Sequence, residues 1–220
     1  MPELPEVRAH AERLEGWFTG RALSKFTTLS FHALKTAVPR PDDAIGRPLD
    51  AVRQRGKYLA LIFGDLSFVI HLMHGGRLRV DEKQAAKVRG GLARWRFDDG
   101  SVLLFTEAGT DHKAGIWLVQ GDALATAPLN RFGPDADSVD AAELKARIDA
   151  TGNMRLHGWL REQSPLAGLG RRLANEVCWQ AQVSPFAMTR KLGPAELDRV
   201  VAGSAPRPKK AWPTSAHATR

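Results

Sequence analysis

The spacing of apolar residues changes along this chain, and that change limits the folds open to it. Between positions 49 and 120 the apolar residues come in short runs: Tyr58–Phe63, Ser67–Leu72, Arg77–Val80, Leu92–Phe97, Val102–Thr106 and Gly115–Val119. Turn signals such as Phe63-Gly64-Asp65 and Asp98-Asp99-Gly100 separate them. Runs of this length between Gly and Asp read as strands joined by tight turns, which predicts an antiparallel sandwich or barrel. On either side the spacing is helical. Val7, Ala11, Leu14 and Phe18 share one face of a helix predicted over 5–18, with Pro5 in its first turn and Gly20 closing it. Ala22–Leu29 has strand character. The stretch Pro128–Ser138 reads as an interdomain linker. After it Asp140 can cap a helix carrying Leu144 and Ile148, a second helix is predicted over Gly170–Gln182, and a third starts at Pro194 with Leu197, Val200 and Val201 on its apolar face. The fold class is therefore α+β. A leading helix and an antiparallel β-sandwich form a domain over 1–130, a helical domain covers 131–203, and a basic, polar tail over 204–220 is expected to be disordered.

Charge narrows the partners. Residues 1–150 carry 21 Lys+Arg against 20 Asp+Glu, whereas residues 151–220 carry 11 against 4, so +7 of the net +8 lies in the last third. Such asymmetry points to a polyanion, with nucleic acid first and an anionic membrane surface second, or to a solvated basic face. A basic amphipathic helix would be needed for a membrane surface, and 170–182 has basic residues only at its start. No apolar run is long enough to span a bilayer and no secretory leader is visible, so a cytoplasmic protein is expected. The single cysteine, Cys178, excludes an intramolecular disulfide and a cysteine-rich zinc site.

Chemistry is concentrated at the start, Met1-Pro2-Glu3-Leu4-Pro5-Glu6. Removal of Met1 would leave the secondary amine of Pro2 free. An α-amino group loses its proton more readily than lysine, and an amine attacking an aldehyde-like carbon gives a Schiff base. Glu3 stands next to it as a proton-transfer partner. The plainer reading is that Pro5, Glu3 and Glu6 simply favour the start of a helix. Further on, Gly168 and Gly170 permit a tight turn before a helix, and Arg171 and Arg172 follow at once. Cations are disfavoured at a helix N-terminus unless an anion arrives, and phosphate is an anion that helix N-termini bind.

Three segments together resemble the formamidopyrimidine-DNA glycosylase / endonuclease VIII family: the opening Pro2–Val7 (PELPEV), the segment Gln54–Leu59 (QRGKYL), and Gln163–Gly170 (QSPLAGLG) followed by Ala174-Asn175-Glu176. The likeness runs in order over roughly residues 2–200. It implies a helix–two-turn–helix element in the second domain. It also implies base-excision repair, in which a damaged, often oxidised base is flipped out and removed and the abasic site is then cleaved. Carried over, Pro2 is the nucleophile at the sugar C1′ and Glu3 protonates the ring oxygen. Lys57 contacts the phosphate and the lesion, and Glu6 orders substrate or a water. The implied DNA contacts are Arg55, His74, Gly168, Gly170, Arg171, Arg172 and Asn175. The implied partner of this bifunctional glycosylase and abasic-site lyase is double-stranded DNA with a damaged base or abasic site, bound by a monomer.

The chain departs from the family in several places. Arg171 stands where the family has an asparagine on a phosphate. His74, beside Met73, stands where the family has a void-filling methionine. The segment Glu107–Gly115 lacks the family's arginine and phenylalanine and offers only His112 and Lys113. The family's four-cysteine zinc finger has no ligands here, and the histidines show no ligand spacing, so no metal or cofactor is expected and the C-terminus reads as truncated or divergent. A damaged-DNA binder with poor turnover is the alternative that these departures leave open.

Overall fold

The computed structural model describes residues 1–110 and 112–205. The expected basic tail therefore lies, from residue 206 onward, outside the described residues. Helix α1 spans Leu4–Phe18. Pro5 sits in its first turn, and the backbone N–H of Glu3 donates to Glu6 Oε2 at 3.0 Å, which satisfies one donor ahead of the helix. Its buried face is Leu4, Val7, Ala11, Leu14 and Phe18, the 3–4 residue repeat legible in the sequence.

Eight strands follow: β1 Leu23–Thr28, β2 Ala51–Arg55, β3 Tyr58–Phe63, β4 Leu66–His71, β5 Gly76–Val80, β6 Gly91–Phe97, β7 Val102–Glu107 and β8 Gly115–Gln120. They form two antiparallel four-stranded sheets, ordered β1-β6-β7-β5 and β2-β3-β4-β8. The sheets meet through aromatic side chains. Phe26 and Trp95 from the first sheet pack on Phe68 from the second, with ring centroids 5.1 and 5.6 Å from it. Such offset and edge contacts add to the burial of large apolar area. Phe18 of α1 stacks on Phe97 at 4.9 Å and fixes the helix against the sandwich.

Strand β2 was not among the expected runs. Its sequence Ala-Val-Arg-Gln-Arg has one fully buried apolar residue, Val52, because it is an edge strand. Pairing with β3 and cover from α1 hold it where its own apolar content does not.

The helical part comprises α2 Ala141–Ala150, α3 Leu156–Leu160, α4 Arg171–Ala181 and α5 Pro194–Ser204. Asp140 caps α2, its carboxylate accepting from Glu143 N at 2.8 Å. Trp159, Leu160, Leu144, Ile148, Val177 and Val200 belong to this part's own core. The short α3, interrupted by Gly158, escaped the periodicity. The expected linker is also different in kind. Leu129 and Ala136 are buried, and the Asp135 carboxylate accepts from Gly56 N at 2.8 Å and Gln54 Nε2 at 3.0 Å. Pro128–Ser138 is thus a strut: its composition is that of a loop, but its carboxylate satisfies donors of the β2–β3 hairpin. Among the described residues, no helix is long and apolar enough to cross a membrane.

Candidate active site

The chain start is clamped to the start of α4. The buried Glu3 carboxylate accepts three backbone N–H bonds there, from Gly170 (3.1 Å), Arg172 (3.2 Å) and Leu173 (2.9 Å). Leu4 N–H donates to Gly168 O at 3.1 Å. These contacts explain the glycines. A Cβ on Gly170 would lie 2.4 Å from Glu3 Oε1, and one on Gly168, where φ is +97°, would lie 2.9 Å from Leu4 Cβ. The anion expected at this helix N-terminus is therefore supplied by the chain itself. The expectation that the two arginines wait for a phosphate needs correcting for one of them. Arg172 is already paired with Glu6 at 2.5 Å and Glu176 at 3.0 Å. Arg171 is exposed and has no acidic partner among the described residues.

An open cleft of about 740 Å³ lies over this junction. Glu3 and Lys57 line it from the sandwich side, His74 from the turn after β4, and Gly170, Arg171, Arg172 and Asn175 from the start of α4. Met1 also lines it, so loss of Met1 opens the cleft toward Pro2, which is half-buried beside Glu3. Arg161 and Gln163 complete the wall, and sequence reasoning gave neither a role. Four expected residues lie off this wall: Pro2, beside Glu3; Gly168, whose carbonyl accepts from Leu4 N–H; and Arg55 and Glu6. Arg55 donates to the Phe132 carbonyl at 3.3 Å, and Glu6 reaches the site only through Glu3 N and Arg172.

Lys57 follows Gly56, whose φ of +55° makes the two-residue hairpin turn possible. Lys57 is itself buried, and burial pushes its pKa below that of a free lysine, while the nearby Glu3 carboxylate opposes the shift and Arg161 adds to it. On its other side is a pocket of about 300 Å³ lined by Tyr58, His71, Met73 and Phe132 among others. His71 was not expected here, because it reads in the sequence as the end of a strand. Its ring packs on Tyr58 at 4.3 Å, and Nδ1 accepts the Met73 N–H at 3.0 Å. Burial first, and the charges of Lys57 and His74 next, lower its pKa from 6.5 to about 4.

A pH dependence follows from His71. The unfolded chain takes up a proton near 6.5 and the folded one only near 4. Stability should therefore fall as pH drops from 6.5 to 4, by about 3 kcal/mol at most from this group. His71→Phe should flatten the dependence in urea unfolding, and an NMR titration should show this ring neutral at pH 6.

A family model of the formamidopyrimidine-DNA glycosylase N-terminal domain matches residues 1–110, half of the chain. The chain belongs to the formamidopyrimidine-DNA glycosylase family. Among curated relatives, the formamidopyrimidine-DNA glycosylase of Chloroflexus aurantiacus is 28% identical over 207 residues, covering 91% of this chain and 72% of the relative. That of Streptococcus thermophilus (strain LMG 18311) is 29% identical over 204 residues, covering 91% and 74%. Solved structures show the same fold. The Lactococcus lactis glycosylase bound non-covalently to abasic-site DNA superposes with a TM-score of 0.81 at 20% identity, covering 92% of this chain and 78% of that one. A mutant of the L. lactis enzyme with Fapy-dG DNA gives 0.82 at 22%, covering 92% and 75%.

Within this glycosylase fold the departures noted in the sequence are spread around the site, with Arg171 at the start of α4 and the others on the sandwich side. His74 is exposed on the cleft wall, while Met73 is half-buried with φ +49° and lines the smaller pocket. His112 and Lys113 are exposed and line neither.

Proposed function

We propose that this protein removes damaged, oxidised bases from double-stranded DNA and cleaves the resulting abasic site through a Schiff base on Pro2. Family membership makes it a base-excision repair enzyme of the DNA glycosylase / abasic-site lyase class acting on damaged duplex DNA. The reading of the site rests on one observation above all: Glu3, held by three amides, shares a cleft with Lys57, and Met1 lines the same cleft. Once Met1 is removed, the Pro2 nitrogen attacks C1′ of the flipped nucleotide. The C1′–base bond breaks, and the base leaves with the bonding pair and takes a proton from water. The Pro2 nitrogen passes its own proton to the Glu3 carboxylate, which delivers it to the ring oxygen as the C1′–O bond breaks and the nitrogen lone pair makes C1′ an iminium on Pro2, from which the strand is cleaved by elimination. Lys57 on its rigid turn anchors the flipped nucleotide by its phosphate, and Arg171 and Asn175 offer further backbone contacts. No step calls for a metal.

Lys57→Ala separates the two activities. A lesion base must be held while it is extracted, whereas an abasic sugar has no base to hold. On one duplex with an oxidised base and another with a preformed abasic site, the variant should lose about 100-fold on the first and less than about tenfold on the second. Equal losses would remove Lys57 from base extraction. A wild type that binds both duplexes and cleaves neither would make the protein a damage binder.

A further inference from the structure

Outside the cleft, three side chains from two distant stretches of the chain come together. His32 lies in a short 3-10 helix, Phe31–Ala33, after β1; Glu107 is the last residue of β7; and His112 lies in the loop that follows, with φ +46°. One ligand atom from each lies within 4.8 Å of the others. The two imidazole rings meet edge to face at 5.5 Å. We propose that His32, Glu107 and His112 bind a divalent zinc ion, at a site distinct from the cysteine zinc finger of the family.

Several features of the cluster fit a metal better than a chance surface meeting. Glu107 is only 4% exposed. Its Oε1 accepts from Lys113 N and Ala114 N, both at 3.0 Å, which fixes the carboxylate, while the buried Oε2 has no hydrogen-bond partner among the described residues. A buried carboxylate oxygen without a donor is costly, and a cation satisfies it. His32 is also set for the part. Ser30 Oγ lies 2.7 Å from Nδ1; in the tautomer in which Nδ1–H donates to this hydroxyl, Nε2 is left as the ligand atom, the arrangement that orients metal-binding histidines. Lys35 Nζ holds the His32 carbonyl at 2.5 Å. Zinc bound at about 2.0–2.1 Å would require the three donor atoms to close by roughly 1 Å, a small change for two exposed histidines. Three protein ligands leave a fourth position for water or an anion.

The ion would tie the loop after β7 to the segment after β1. That loop also touches the cleft. Ala108 N donates to Gly75 O at 3.0 Å, and a Cβ on Gly75 would lie 2.0 Å from Ala108 O. His74, on the cleft wall, is the residue before Gly75. Zinc would thus stiffen the turn that carries His74 without entering the chemistry.

The test uses the full chain, stripped of metal, with zinc titrated against a chromophoric competitor and Co²⁺ as a spectroscopic probe. The expected result is one equivalent bound per chain, a Co²⁺ visible spectrum with mixed nitrogen and oxygen ligands, and a rise in Tm with zinc. His32→Ala and His112→Ala, both at exposed positions, should each weaken binding on the order of 100-fold and abolish the rise in Tm. Their metal-free Tm should match that of the wild type, which separates ligand loss from misfolding. No saturable binding, or wild-type affinity in both variants, would overturn the proposal. Because the readout is metal binding, its failure is distinct from any failure of the repair activity.

Discussion

A chain whose Pro2 nitrogen is blocked should give no borohydride-trapped adduct with abasic DNA. The block is best made by an N-terminal extension that cannot be processed, since Pro2→Gly would still present an amine. The expected loss is on the order of 10³-fold or more in strand cleavage, as for removal of a nucleophile elsewhere. Duplex binding should change far less, because Arg171, Lys57 and Asn175 line the cleft independently of the amine. The wild-type adduct, digested and weighed, should carry the DNA remnant on residue 2 with Met1 gone. An adduct on Lys57, which is buried and has a lowered pKa, is the informative failure, since a desolvated lysine is the other amine that could attack.

The second large effect is expected at a residue with no reactive group. Gly170→Ala places a methyl 2.4 Å from Glu3 Oε1, so the carboxylate must leave the three amides that hold it. Base excision should fall about 10²–10⁴-fold, the range for loss of a positioned proton donor. Stability should fall by about 1–2 kcal/mol, as for loss of a helix cap. Glu3→Gln should cost a similar factor in rate while keeping the side chain's size. If Gly170→Ala proves fully active, Glu3 works without its clamp and the glycine serves only the fold.

Most of the fold could be read from the sequence because its two periods differ sharply. Strand β3 falls on the expected Tyr58–Phe63, and α1 differs from its expected range by one residue. The misses share a cause: elements stabilised by neighbours and not by their own apolar content. Strand β2 depends on its hairpin partner β3 and on α1, the strut at Pro128–Ser138 on the β2–β3 hairpin, and the five-residue α3 on the carbonyls of Pro185 and Ala187. The candidate site divides in the same way. Glu3 and Lys57, which the structure brings to one cleft, were singled out because their motifs are local. His71 and Arg161 carry no local signal, Gln163 sits in a recognised motif but was given no role, and the His32–Glu107–His112 cluster joins two stretches that meet only when the sandwich folds. The reading of Arg171 and Arg172 as one phosphate-binding pair missed that Glu3 and Glu6 reach Arg172 across more than 160 residues.

The clamp of Glu3 on α4 has a consequence for the order of events at the ribosome. Residue 3 emerges first, yet the amides that fix its carboxylate belong to residues 170–173. In a nascent chain that has released only the sandwich, the Glu3 carboxylate lacks the amides that fix it. On the mechanism proposed above, competence to break a DNA strand is thereby postponed until the helical part has been made and docked.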